Sequence, residues 1–181
     1  CVLVLPCGQQ LLAGDDAVAH VAAAVLGDGD NLRHDDTVFV THGGLRGESR
    51  QVFKKVLKNG ATGVFQGKIL VRPGAQKTDS YQANRNLQLS TRSRADSIPG
   101  LEILADDVRC THGATVGRLD DDALFYLRSR GIPLDEARTM LIGAFIRDVT
   151  DAIPHPSLRT HVAAIIAASN GMVATDPERM R

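Results

Sequence analysis

Apolar and polar positions alternate through the first two-thirds of the chain, in short runs closed by Gly, Asn, Asp and Pro. Thr37–His42, TVFVTH, reads as a strand ending at a Gly-Gly turn. Ser49–Leu57 alternates loosely up to the turn signal Asn59-Gly60. Gly63–Val71, GVFQGKILV, is rich in β-formers and is stopped by Pro73-Gly74. Asn86–Ser90, NLQLS, alternates cleanly, and Leu101–Leu104 and Val108–His112 finish the series. Upstream, Ala17–Leu26 has the Ala of a helix and the Val of a strand. The turn signal GDGDN that follows favours a strand ending near Leu26. CVLVL at the start has strand character, but residues 1–17 receive no assignment.

Turns recur at a rough spacing near 20 residues, with no long helix between strands. That leaves an antiparallel sandwich or barrel, or a parallel β-helix whose coils stack on one another. Asn59-Gly60 would suit an antiparallel hairpin. Periodicity alone does not choose.

After Asp120 the period changes. Asp120 is placed to cap a helix, with Asp121 and Asp122 in its positive first turn. Ala123–Arg130, ALFYLRSR, is that helix, with Gly131 as its C-cap and Ile132 placed to pack back. Pro133 opens a second helix at its first position, with Ala137, Met140, Leu141, Ala144, Phe145 and Val149 on one apolar face. Pro154 and Pro156 break it. Leu158–Ala168 is a third helix, with Leu158, Val162, Ile165 and Ile166 inward, and a frayed tail begins at Asn170.

Composition narrows the function classes. Lys plus Arg equals Asp plus Glu, at 21 each, so no basic excess draws the chain to nucleic acid or an anionic membrane. Seven aromatic residues and 17 Gly suit a fold with many turns and small inward side chains. Three Cys (Cys1, Cys7 and Cys110) make no disulfide framework and point to a reducing compartment. No apolar run approaches the ~20 residues of a membrane span, and CVLVLP is too short for a signal peptide. A start at Cys suggests part of a longer product, a lipidated Cys1 being the less economical reading.

The candidate chemistry lies in Leu101–Asp120, LEILADDVRCTHGATVGRLD. Alternation sets Cys110 and His112 on one side of an extended segment. A thiolate and an imidazole together suit a soft or borderline metal, though two ligands fall short of the four of a closed zinc site. The bland alternative is a small buried Cys beside a hydrogen-bonded His. Asp106-Asp107 reads as a solvated turn rather than an acid/base pair, since neighbours in an extended chain face opposite ways. Gln76–Leu87, QKTDSYQANRNL, reads as a polar loop or a contact surface. No phosphate-binding Gly loop, nucleophile elbow or HExxH motif is present. The remaining histidines receive no role.

Two long stretches carry a resemblance. VFKKVLKNGATGVFQGKILVRPGAQKTDSYQANRNL (Val52–Leu87) and LEILADDVRCTHGATVGRLDDDALFYLRSRGI (Leu101–Ile132) resemble the SufB/SufD family of iron–sulfur cluster assembly proteins, most closely its SufD branch. The likeness covers about residues 27 to 153, and GVFQGKILV, QKTD, ADDV-x-C-x-HGATVG and LFYLRSRGI occur in the family's order. Residues 1–17 do not align, and the family's N-terminal helical region and first coils are missing, so the chain resembles the C-terminal portion of a member.

The resemblance implies a mainly β fold. A right-handed parallel β-helix, here residues 18–118, would be followed by a small helical domain at 119–169 and a tail at 170–181. It implies a non-catalytic scaffold pairing with a SufB-type paralogue and a SufC-type ATP-binding-cassette ATPase, in the cytoplasm or a plastid stroma. His112 and Cys110 fall on the family's Cys-x-His motif, at an interface where a transient nascent cluster would form with ligands from the paralogue. The helices would dock the ATPase, with Leu124, Phe125, Tyr126, Leu127, Arg128, Arg130, Met140 and Leu141 as the candidate surface. A β-helical carbohydrate-active enzyme and a zinc-binding module are the competing readings.

Overall fold

The computed structural model describes residues 8–169. The expectations for CVLVL and for the tail from Asn170 lie outside them. The chain divides into two units, one ending at Gly117 and the other beginning at Arg118.

The first unit holds eight strands: β1 (Gly8–Leu12), β2 (Val18–Asp28), β3 (Arg33–His42), β4 (Glu48–Lys58), β5 (Thr62–Val71), β6 (Asp79–Gln88), β7 (Arg94–Ile103) and β8 (Arg109–Gly117). They form two four-stranded parallel sheets, ordered β1-β3-β5-β7 and β2-β4-β6-β8. Successive strands therefore alternate between sheets, and each strand pairs with the next but one. This is a β-solenoid. Val18 pairs with Glu48, Glu48 with Asp79 and Asp79 with Arg109, a coil of about 30 residues. The turn spacing near 20 corresponds to no structural repeat, because each coil contains two strands and two turns. β1 also lies in the stretch left unassigned, and it pairs with β3 from Gly8 onwards.

Asn59 and Gly60 both adopt positive φ, 52° and 87°, as a hairpin turn would require. Here they turn a corner instead. β4 and β5 lie in different sheets, because each finds its hydrogen-bonding partner one coil away. The opposite corner stacks as well. Asp16, Arg46 and Lys77 each take a left-handed φ two residues before a strand of the second sheet. The backbone N–H of Asp16 donates to Leu45 O, that of Arg46 to Gln76 O and that of Lys77 to Asp107 O. Each donates to the coil that follows.

The interior is only partly apolar. Phe53 from one sheet meets Phe65 from the other at 4.8 Å between ring centroids, with Leu12, Val21, Ala23, Val38 and Val40 around them. Beside this cluster lies an ion pair. Lys55 Nζ stands 2.8 Å from Asp36 Oδ2, and both side chains are 1% exposed. Lys55 also donates to Val64 O, and His34 Nε2 lies 2.9 Å from Asp36 Oδ1. Burial pulls the Lys55 pKa down, and Asp36 opposes that shift.

The stretch read as a polar loop or a contact surface, Gln76–Leu87, forms all of β6 but its last residue. Ser80, Gln82, Asn84 and Asn86 are buried on the inner side of that strand. Alternating polar residues fit an exposed strand face as well as a hydrogen-bonded interior, and only the neighbouring coils supply the bonds.

The second unit holds α1 (Asp121–Ser129), α2 (Leu134–Asp151) and α3 (Pro156–Ser169). Asp120 Oδ1 accepts from the N–H groups of Asp122 and Ala123 at 2.9 and 3.2 Å. Gly131, at φ 86°, ends α1: its N–H donates to Arg128 O and that of Ile132 to Leu127 O. This is the six-to-one and five-to-two closure that favours glycine. Pro133 lies just before α2, one position earlier than expected. The buried stripe of α2 runs through Ala137, Ile142, Ile146 and Val149. Met140 and Ala144, expected inward, are exposed, and so is Leu158 on α3.

The buried pair generates a stability prediction. Lys55→Met strands the Asp36 carboxylate in the interior, and loss of one partner of such a pair costs about 3–5 kcal/mol. Lys55→Met with Asp36→Leu should recover most of that loss. Urea unfolding of the single and double variants measures both. Below the lowered pKa, Lys55 is charged in both the folded and unfolded chain. Between that value and its ordinary 10.5 the unfolded chain binds more protons, so the Lys55 contribution rises with pH across that window.

Candidate functional site

β8 is the last strand of its sheet. Register sets Cys110 over Ser80, His112 over Gln82, Ala114 over Asn84 and Val116 over Asn86. The residues beneath are buried, so Cys110 and His112 share the inner side of the terminal coil. The alternation expected from the sequence holds. Among the described residues no strand joins the sheet beyond β8, so within the first unit the columns end at this strand.

The two side chains differ in surroundings. Cys110 is half-buried against a cluster of Ile69, Val71, Ala75 and Ala105, with Leu101 and Val108 alongside. This burial pushes the thiol pKa up, a hydrogen bond from the Ser80 backbone pulls it partly back, and Asp79 raises it further. At neutral pH Cys110 is a thiol, and a metal that binds it must displace its proton. His112 is exposed. Among the described residues no three His, Cys, Asp or Glu side chains converge. Cys110 and His112 by themselves fall short of the four ligands of a closed zinc site.

Two polar columns lead to them, and the sequence reading missed both. His42 Nε2 lies 2.9 Å from Ser49 Oγ, and Ser49 Oγ lies 2.8 Å from Ser80 Oγ, with Cys110 next in register. Burial pushes the His42 pKa down, so this imidazole is neutral at physiological pH. In the second column Gln82 Nε2 donates to Gln51 Oε1 at 2.9 Å, with His112 next in register. The signal was present as polar alternation from Ser80 to Asn86. Asp106 and Asp107 are exposed in the turn before β8, where the Asp107 N–H donates to Gln76 Oε1.

On α1, Phe125 is 74% and Tyr126 56% exposed, while Leu124 and Leu127 are partly buried. Arg130 lies 5.0 Å over the Tyr126 ring and donates to its hydroxyl at 3.0 Å. Arg128 is exposed. On α2, Met140 is 44% exposed and Leu141 half-buried. Among the described residues no helix is long and apolar enough to cross a membrane.

Residues 9–145 match the family model described as "SUF system FeS cluster assembly, SufBD core domain". Iron-sulfur cluster assembly protein SufD of Escherichia coli is 46% identical over 118 residues, 65% of this chain and 28% of that protein. Its Bacillus subtilis namesake is 34% identical over 155 residues, 86% of this chain and 35% of that protein. Protein ABCI7, chloroplastic, of Arabidopsis thaliana is 40% identical over 115 residues, 63% of this chain and 24% of that protein. The chain thus spans between about a quarter and a third of the length of these relatives.

The raised Cys110 pKa is open to measurement. Iodoacetamide labelling of Cys110, followed by peptide mass spectrometry against pH, should reach its midpoint above the ordinary thiol value of 9.0. A midpoint at or below that value would contradict the burial argument.

Proposed function

Because this chain belongs to the SufBD core family of the SUF iron–sulfur cluster assembly system, we propose that it serves as a SufD-like scaffold subunit with no catalytic step of its own. It pairs with a SufB-type paralogue and a SufC-type ATPase, in the cytoplasm or a plastid stroma. The nascent cluster is cargo, built transiently where the two β-helical subunits meet. One observation supports this reading: Cys110 and His112 share the inner side of the coil that ends at β8, two candidate ligands side by side. Thiolate and imidazole suit iron. A second chain would complete the set and cover the open strand edges of β7 and β8, which in isolation invite pairing.

The helical unit supplies the second contact. Phe125 and Tyr126 project from α1 as large apolar surfaces, and exposed aromatic anchors are typical of interface hot spots. Arg128, Arg130, Met140 and Leu141 border them in this reading.

Anaerobic co-purification of the complete protein with its paralogue and ATPase, followed by iron and sulfide analysis, tests the scaffold role. His112→Ala should lower cluster content while leaving the complex assembled. Cys110→Ser should lower it less if Cys110 mainly packs. Unchanged iron and sulfide in both variants would refute the site.

Phe125→Ala and Tyr126→Ala should each weaken ATPase binding in calorimetry, the more central anchor by ~2 kcal/mol. Circular dichroism should show both variants folded. Folded variants that bind like the parent would refute the docking surface.

A further inference from the structure

The Gln51–Gln82 column is an amide ladder with both ends unpaired. Both side chains are 0% exposed. Below Gln51 the register partner is Val21, which offers no acceptor, and Gln51 Nε2 has no partner. Above Gln82 the register partner is His112, and Gln82 Oε1 has no partner. Gln82 Nε2 points down the column to Gln51. The oxygen on the other side of the same planar amide is therefore turned toward the coil of His112. The space around this amide is tightly filled. Gly67 lies so close across the interior that a Cβ there would stand 2.5 Å from Nε2 and 2.7 Å from Oε1. Fixed, buried and unpaired, the acceptor lies one register step from a side chain that carries an N–H.

We propose that Gln82 is the positioning residue for His112. When the exposed His112 ring turns onto the column, the unpaired Oε1 accepts the N–H of one imidazole nitrogen and so selects the tautomer. The other nitrogen then keeps its lone pair, directed away from the column, where a metal can take it. Ligating histidines are generally held by such an acceptor on the remote nitrogen. An uncharged amide orients the ring without favouring the imidazolium form that would block metal binding. The pairing also satisfies an amide oxygen that burial would otherwise leave without a hydrogen bond. This inference rests on the reading of His112 as a ligand, and it adds the residue that orients it.

Nitrogen NMR of the intact, metal-free protein with labelled histidine tests the assignment. At a pH where the ring is neutral, the two nitrogens of His112 should show widely separated shifts, the mark of one tautomer. The exposed His155 and His161 supply the averaged reference. Gln82→Met should collapse the His112 separation to that reference, and Gln82→Glu, which keeps an acceptor oxygen, should restore it. If Gln82→Met fails to fold, the parent spectrum still decides: averaged His112 shifts in the parent overturn the proposal. The measurement involves no cluster, so it is independent of the iron and sulfide assay on His112→Ala. A single tautomer with unchanged cluster content would reject the assembly role and keep the positioning. Averaged shifts with lowered cluster content would do the reverse.

Discussion

In-register stacking of parallel coils is the constraint on which the first unit depends. Each strand takes its backbone partners from the coils before and after it. A side chain at an inner position is therefore stacked on its counterparts one coil away. Ser49 lies against Ser80 and Gln51 against Gln82 in register. Like chemistry repeats in columns, and a polar residue in one coil is tolerable when the next coil offers it a bond. The interior thus accommodates amides, hydroxyls and an ion pair that an isolated strand pair would leave unsatisfied.

The same stacking makes the last coil different in kind. At β8 the columns stop. Interior chemistry that is sealed at Ser80 and Gln82 becomes accessible at Cys110 and His112, without any special loop or cleft. The half-buried thiol and the exposed imidazole follow from position alone: one lies over an apolar cluster at the corner, the other over the end of an amide ladder. Under the proposed scaffold role, a second solenoid would meet the strand edges of this coil and its two candidate ligands together.

The helical unit follows ordinary local rules. Its caps use the residues that helix termini favour, with Asp120 at the start of α1 and Gly131 after its end. Its surface departs from them: Phe125 and Tyr126 face outward. Large apolar groups held in solvent are what an association surface requires.

The sequence by itself located β2 to β5 and parts of β6, β7 and β8, the change to helical period after Asp120, the caps of α1 and the shared side of Cys110 and His112. All of these are local, set by alternation, turn chemistry and terminal hydrogen bonds within a few residues. Strand pairing was not legible in the periodicity. Asn59-Gly60 has the backbone of a hairpin turn and makes a solenoid corner, because its flanking strands bond to coils about 30 residues away. That choice came from the family likeness. Polar alternation at Ser80–Asn86 looked like solvent-facing sequence for the same reason. Whether a Gln is solvated or buried depends on the amide stacked against it, and Gln51 lies 31 positions from Gln82. Met140 was placed inward by a helical period that fits more than one face, and packing selected the stripe through Ile142 and Ile146 instead. Only the tertiary structure could decide these points, since each depends on which distant residue occupies the neighbouring position in space.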